Sequence, residues 1–224
     1  MILIGDVHGL FHDYNWMIET YCWDNTLQLG DFGIGFPDSM DVTIKHEGQH
    51  LFIRGNHDNP EVCRKHPNYA GDYGCLSGDY VEGRYHKLFF ISGAWSIDYQ
   101  WRTPGISWWE DEQLSERELS DAIELYEKEQ PEIVVSHDCP FSILQHLYAQ
   151  AIPTRTGQAF DVMLKVHEPS VWIFAHHHKS WKRKLGYTNF ICLNEMEYLN
   201  ISQNIFGFGD FCGGEKNGNK ANGN

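Results

Sequence analysis

Short apolar runs recur along this chain, and five of them stop at glycine or at a side chain able to bind metal. Met1-Ile2-Leu3-Ile4 runs into Gly5-Asp6-Val7-His8-Gly9, and Thr26-Leu27-Gln28-Leu29 runs into Gly30-Asp31-Phe32-Gly33. Leu51-Phe52-Ile53-Arg54 leads to Gly55-Asn56-His57-Asp58, residues 132–136 lead to His137-Asp138-Cys139-Pro140, and residues 170–175 lead to His176-His177-His178. Runs this short and this apolar predict strands of a sheet covered on both faces. In an open α/β sheet, ligands collect outside the carboxyl ends of the strands. The repeated pattern therefore aims several loops at one place.

Elsewhere the period lengthens. Residues 13–21 predict a helix capped by Asp13, with Trp16, Met17 and Tyr21 on a core-facing side. Residues 114–129 predict an amphipathic helix. Ser115 and Glu118 form its capping box, Leu119, Ala122, Ile123 and Tyr126 its apolar stripe, and Pro131 ends it. Residues 87–92 predict another strand, and Leu185, Phe190-Ile191-Cys192-Leu193 and Tyr198-Leu199 suggest more, turned at Gly186 and Asn194. Residues 60–80 are polar and rich in glycine and tyrosine, as in a surface loop. Residues 93–112 hold Trp95, Trp101, Trp108 and Trp109 at irregular spacing, broken at Pro104-Gly105. They fit a flap beside the strand ends, serving as packing or as a platform for rings. From Gly213 the tail has no apolar residue but one alanine and is expected to be disordered. One domain over 1–212 with a tail over 213–224 follows, as expected for 224 residues.

The net charge of −14 disfavours a broad electrostatic grip on nucleic acid. A nuclease remains compatible, because bound divalent cations reverse the field inside a cleft. The six cysteines form no C-x-x-C pair, which argues against a thiolate zinc site. No stretch is long enough to span a membrane, and no signal peptide precedes the first strand. A soluble, cytoplasmic protein with free thiols is expected.

Asp6 and His8 stand two apart, so on an extended backbone both side chains face the same way and make half of a metal site. The five strand ends together carry Asp6 and His8, Asp31, Asn56 and His57, His137, and His176 with His178. Such a donor set suits phosphate esters, whose charged oxygens repel a nucleophile. Two divalent cations about 3.5–4 Å apart neutralise those oxygens, bind the attacking oxygen and acidify a bridging water. The pair needs a shared ligand, and a carboxylate bridges where an imidazole does not. Asp31, the carboxylate alone at its strand end, is the expected bridge. Mixed nitrogen and oxygen donors suit manganese best, with iron, zinc or nickel as alternatives, over calcium.

The ordered set D-x-H, G-D, G-N-H-D, a lone histidine after a strand, and A-H-x-H, from Asp6 to His178, closely resembles the calcineurin-like metallophosphoesterase superfamily. The resemblance implies an α/β fold: a β-sandwich of two mixed sheets flanked by helices in four α-β-β-α layers, with the site at the strand ends. It implies that Asp6, His8 and His178 join Asp31 on one metal, and that Asn56, His137 and His176 join it on the other. His57 would be the general acid or a clamp on the phosphoryl oxygens, with Asp58 orienting its ring and favouring the protonated form. Arg54 reads as an ion pair bracing the loop. Arg102 and Trp101 in the flap are candidate substrate contacts, and Lys179, Lys182, Arg183 and Lys184 are either solvated surface or the rim of the cleft. His177, between two ligands, should point into packing.

The second motif continues Gly30-Asp31-Phe32-Gly33-Ile34-Gly35-Phe36, without the G-D-x-V-D-R-G of protein serine/threonine phosphatases. That points to a compact member of bacterial or phage type acting on a small phosphorylated substrate or a nucleotide. The rivals are a nuclease on single strands, which the acidic surface disfavours, and a binding scaffold that has lost catalysis, which the complete donor set disfavours.

Overall fold

The computed structural model describes residues 1–36, 44, 47–81 and 84–201. The 213–224 tail and the domain boundary at 212 lie outside the described residues. The elements run β1 (Ile2–Ile4), α1 (Phe11–Tyr21), β2 (Asn25–Leu29), β3 (Gln49–Ile53), α2 (Pro60–Lys65), β4 (Tyr73–Val81) and β5 (Arg84–Ile91). There follow α3 (Glu116–Glu129), β6 (Ile133–Ser136), α4 (Phe141–Leu147), α5 (Arg155–Val166), β7 (Val171–Phe174), β8 (Trp181–Leu185), β9 (Thr188–Cys192) and β10 (Tyr198–Asn200).

The strands form two mixed sheets in the orders β10-β1-β2-β3 and β4-β5-β6-β7-β9-β8. In the first, β1, β2 and β3 are parallel and β10 closes the edge antiparallel. In the second, β5, β6, β7 and β9 are parallel, and β4 and β8 are antiparallel edges.

Side-chain alternation along each strand builds three apolar layers. Leu3, Leu27, Leu29, Leu88, Phe90, Ile133, Val135, Val171, Ile173 and Ile191 meet between the sheets. Their neighbours Phe89, Ile91, Val134, Trp172, Phe174 and Phe190 face out, against Leu119 and Tyr126 of α3, Ile143 of α4, and Phe160 and Met163 of α5. Ile2, Ile4 and Phe52 face out of the other sheet, against Tyr14 and Ile18 of α1 and Cys63 of α2. The result is the expected four-layer α-β-β-α sandwich. Strands buried on both faces explain why their sequences are almost continuously apolar.

Several local expectations are corrected. The supposed surface loop at 60–80 contains α2 and the edge strand β4. The helix expected from Asp13 starts at Phe11 without a side-chain cap, leaving Asp13 in its first turn, where its charge still favours the helix N-terminus. Its core side carries Tyr14, Met17 and Ile18, whereas Trp16 and Tyr21 are exposed. The start of α3 is as read, with Ser115 and Glu118 in a reciprocal capping box. The basic residues Lys182, Arg183 and Lys184 lie on β8, an edge strand, where charge discourages pairing with another chain. Five cysteines are free among the described residues, and there no helix is long and apolar enough to cross a membrane.

Trp172 is the largest fully buried side chain, packed on Phe160 and Phe190 and donating its indole N–H to Ser136 Oγ at 2.8 Å. Trp172→Ala should cost about 3–5 kcal/mol. Thermal unfolding should record a fall in Tm on the order of 10 °C, and a change within error would show that the outer layer repacks freely.

Candidate metal centre

The carboxyl ends of β1, β2 and β3 in one sheet and of β6 and β7 in the other open at the same end of the sandwich. Among the described residues seven non-glycine residues have positive φ, and four of them are His8 (47°), Asp31 (53°), His176 (64°) and His178 (49°). Two others, Cys22 and Gln130, are helix C-caps, where that conformation is routine. Left-handed backbone at a side-chain-bearing residue costs of order 1–3 kcal/mol and persists where surrounding structure enforces it, often at functional sites. Here the turns are held by hydrogen bonds: the Asp31 carbonyl accepts from Val7 N at 3.0 Å and His8 N at 2.8 Å. Gly55 is required for a different reason. A Cβ there would fall 2.2 Å from Asp31 Oδ1 and 2.4 Å from His137 Nε2.

Two donor clusters result. In the first, His178 Nε2 lies 3.0 Å and His8 Nε2 3.8 Å from Asp6 Oδ2, His8 Nε2 lies 3.8 Å from Asp31 Oδ2, and the two Nε2 atoms are 3.1 Å apart. In the second, His137 Nε2 lies 3.2 Å from Asp31 Oδ1 and 3.3 Å from Asn56 Oδ1, and the His176 ring is centred 4.9 Å from that of His137. Asp31 thus turns one oxygen toward each cluster.

These donors fit a cation. Asp6 Oδ2 is buried and accepts no hydrogen bond, although ring nitrogens surround it. The other edge of His137 is committed, with Nδ1 donating to Leu29 O at 2.7 Å, which leaves Nε2 as the free donor atom. Glu195 Oε1, 3.2 Å from His178 Nδ1, orients that ring in the same way. Neither Glu195 nor its role was legible beforehand; it follows a strand and a turn, far from any motif.

The electrostatics point the same way. Burial alone would raise Asp31, but His137 and its neighbours hold it well below the ordinary carboxylate range. Burial alone would depress His137, yet the Asp31 carboxylate, with Asp6 behind it, pushes it up to about 10. His176, buried beside His177 and His137, falls to about 3 and is neutral at physiological pH.

His57 stands at the edge of this group, its ring 4.9 Å from that of His8 and stacked on Phe36. Its backbone N–H donates to Asp31 Oδ1 at 2.7 Å. The Arg102 guanidinium donates to His57 Nε2 at 2.7 Å and also pairs with Asp98 at 2.8 Å. Burial, then the Arg102 charge working against Asp31, pulls the His57 pKa down rather than up. Asp58 therefore does not play the part expected of it. Its carboxylate accepts from the backbone N–H of Gly55 (2.8 Å), Phe32 (3.2 Å), Gly33 (2.7 Å) and Ile34 (3.0 Å) and is spent on holding two loops together. Trp101 is 88% exposed, at the end of the single 3-10 turn Tyr99–Trp101, while the extended Arg102 turns in toward His57.

The flap is tied to the centre by contacts that no motif announced. Asn56 Nδ2 donates to Ser96 Oγ at 3.1 Å, and Ser96 Oγ and N both donate to the buried Glu112 carboxylate. This fixes which end of the Asn56 amide faces His137. Arg54 is a brace, pairing with Asp72 at 2.8 Å and donating to Glu112 O at 2.8 Å. His177 points away from the two clusters, with Nε2 3.3 Å from Asp138 Oδ1 and 3.4 Å from Cys139 Sγ. Burial keeps that thiol protonated.

Comparison with known proteins places these observations. The sequence model for calcineurin-like phosphoesterases matches residues 1–180. The fold is similar to GAP50, the anchor in the inner membrane complex of Plasmodium, at TM-score 0.53 and 11% identity, over 86% of this chain and 70% of that one. It is also similar to a provisionally assigned 5'-nucleotidase from Staphylococcus aureus solved with alpha-ketoglutarate, at TM-score 0.50 and 15% identity, over 87% of this chain but only 48% of that one. No curated protein matches the sequence.

The raised His137 has a measurable consequence. Its protonated pairing with Asp31 stabilises the metal-free fold below the unfolded-state value near about 6.5, and that contribution is lost as pH rises through about 10. A ligating imidazole must be neutral, so a metal held by His137 would have to expel this proton. Apparent manganese affinity should climb about tenfold or more per unit between about pH 6 and 8. Calorimetry in buffers of different ionisation enthalpy should show the proton released. An affinity flat across that interval removes His137 from the ligands.

Proposed function

Since this chain belongs to the calcineurin-like phosphoesterase family of metal-dependent hydrolases acting on phosphate esters, we propose that it works with two divalent cations. Asp6, His8 and His178 hold one, Asn56, His137 and His176 hold the other, and Asp31 is shared. The observation that carries the reading is Asp31 itself, with Oδ2 toward His8 and Oδ1 toward His137. Histidine and carboxylate without thiolate suit manganese first, then iron, zinc or nickel. The cations supply charge neutralisation on the phosphoryl oxygens and a water acidified enough to react near neutral pH.

The chain's own residues do the rest. Arg102 places a permanent positive charge against His57 and the Asn56 carbonyl, and a phosphoryl group is a better partner for its fork of donors than the neutral His57 ring. Transfer of Arg102 to the substrate frees His57 Nε2. The substrate's negative charge then favours the protonated ring, which donates to the leaving oxygen. In the overall reaction the water oxygen joins phosphorus as the ester P–O bond breaks, and one proton ends on the departing alcohol. Asp58 acts only through the loops it holds. The substrates are small phosphorylated molecules.

Asp31→Asn should lose both metals together, while Asn56→Ala should chiefly weaken the second. Metal analysis of the purified variants, with a panel of phosphomonoesters and phosphodiesters, tests this, and full occupancy in Asp31→Asn sinks the shared-ligand assignment.

His57→Ala keeps the backbone N–H that Asp31 uses, so metal content should stay near wild type while turnover falls about 10²–10⁴-fold. The loss should shrink for nitrophenyl esters, whose leaving group needs little protonation. An equal loss for good and poor leaving groups would limit His57 to clamping.

A further inference from the structure

Beside the second donor cluster lies a cavity of about 270 Å³ to which none of the residues proposed above is assigned except His176, which forms part of its wall. Trp95 and Ile97 of the flap close one side, and Leu144, Tyr148 and Ile152 close the other. The surface exposed in it is mostly apolar, and three of these side chains are left open to solvent: Ile97 at 73%, Ile152 at 48% and Tyr148 at 38%. Large apolar side chains left exposed around one opening mark a place where something apolar docks.

The cavity is continuous with the site in two ways. His176 belongs to both. Ser96, between Trp95 and Ile97, is the residue that Asn56 Nδ2 bonds and Glu112 anchors, so the flap wall is fixed to a metal-ligand candidate rather than hung loosely. Among the described residues no lysine or arginine lines the space, and the one carboxylate that does, Asp138, is nearly buried and already bonded to Cys139 N and paired with His177. A second anionic group would meet that carboxylate, and the Lys179 ammonium on the Tyr148 wall is already engaged, lying 3.9 Å over that ring and donating to Leu147 O at 3.1 Å. Size narrows the occupant further, because about 150 Å³ suffices for benzene and this space takes up to about two fused rings.

We propose that this cavity holds the leaving group of the substrate, and that the leaving group is a neutral alcohol bearing a flat ring system. The assignment rests on the phosphoesterase reading above and sharpens it. The phosphoryl end sits at the metal centre beside His57 and Arg102, and the ring end lies past His176 between Trp95 and Ile152. Selectivity comes from the ring, and a further charge on the leaving group is excluded.

The test compares naphthylmethyl phosphate with glycerol phosphate, both esters of alkyl alcohols, so departure of the leaving oxygen is similar and the ring is the variable. Naphthylmethanol, which carries no phosphate, probes the cavity alone by calorimetry. Wild type should favour the naphthylmethyl ester by about tenfold or more in kcat/KM, the scale on which apolar pockets discriminate. Ile152→Trp, which fills the space from a half-exposed position, should erase that preference through KM and weaken naphthylmethanol binding about tenfold. Metal content should stay unchanged, and glycerol phosphate, whose leaving group gains little from apolar walls, should lose far less in kcat/KM than the naphthylmethyl ester. Ile97→Asp, at a position 73% exposed, should do the same by placing a charge at the opening. Hydrolysis of both esters without ring preference, together with no binding of naphthylmethanol, overturns the inference and leaves the phosphoesterase reading standing. Naphthylmethanol binding without hydrolysis of either ester by the metal-loaded protein overturns the phosphoesterase reading and, with it, the leaving-group role.

Discussion

Everything at the metal end hangs on one buried carboxylate that touches no metal donor. Asp58 accepts from four backbone N–H groups, one just before Asn56 and three just after Asp31. The turns that follow β2 and β3 are thereby a single body, and the spacing of Asp31, Asn56 and His57 is set inside it. Burial and the nearby Asp31 charge push the Asp58 carboxyl upward, and the backbone N–H groups of Gly55, Ile34 and Gly33 work against that rise. Hydrogen bonds to a charged group are worth about 1.5–3 kcal/mol each. A set of four is enough to hold Asp31 in its left-handed conformation, which costs of order 1–3 kcal/mol. Without that conformation the Asp31 carbonyl would not reach Val7 and His8, and the loop after β1 would lose its seat.

Most of the strands and the donor positions could be read from the sequence because one physical condition produces both. Parallel strands covered on two faces must be apolar throughout, so the first polar residue after each run stands out. Where only one face is covered the signal fades. β4 is an edge strand interrupted by Gly74 and Gly78, and it reads as loop. The cue for α2 was present, since Asn59 caps it and Pro60 opens it, but the surrounding polarity concealed it. α4 and α5 are separated by a turn of the chain with no motif in it. They pack on the outer face of the second sheet through Ile143, Phe160 and Met163.

Side-chain direction is the part that adjacency misreports. Asp58 follows His57, and proximity suggests a carboxylate paired to an imidazole. In the turn the two side chains diverge, Asp58 inward to the N–H groups and His57 outward to Arg102. Trp101 and Arg102 repeat the lesson at the end of a 3-10 turn, one exposed and the other nearly buried. Ser96 and Glu112 are beyond sequence reasoning altogether. A serine and a glutamate sixteen positions apart in a tryptophan-rich segment give no sign that they fix the amide of Asn56.

Charge decides how a substrate must lie. The chain is acidic overall, and Asp6 and Asp31 are buried in the centre, so without cations the site repels phosphate. Under the proposed function two seated cations would reverse that sign locally, and Arg102, released from His57, would add to it. A few ångströms away the sign reverses again at Asp138, in a space walled by Trp95, Leu144, Tyr148 and Ile152. Under the leaving-group proposal an amphiphilic ester would lie one way across such a gradient: anion to the strand ends, neutral ring to the cavity. The flap serves both ends, since Ser96 ties it to Asn56 and Arg102 ties it to His57. Both tethers belong to one short segment, seven residues counted from Ser96 to Arg102.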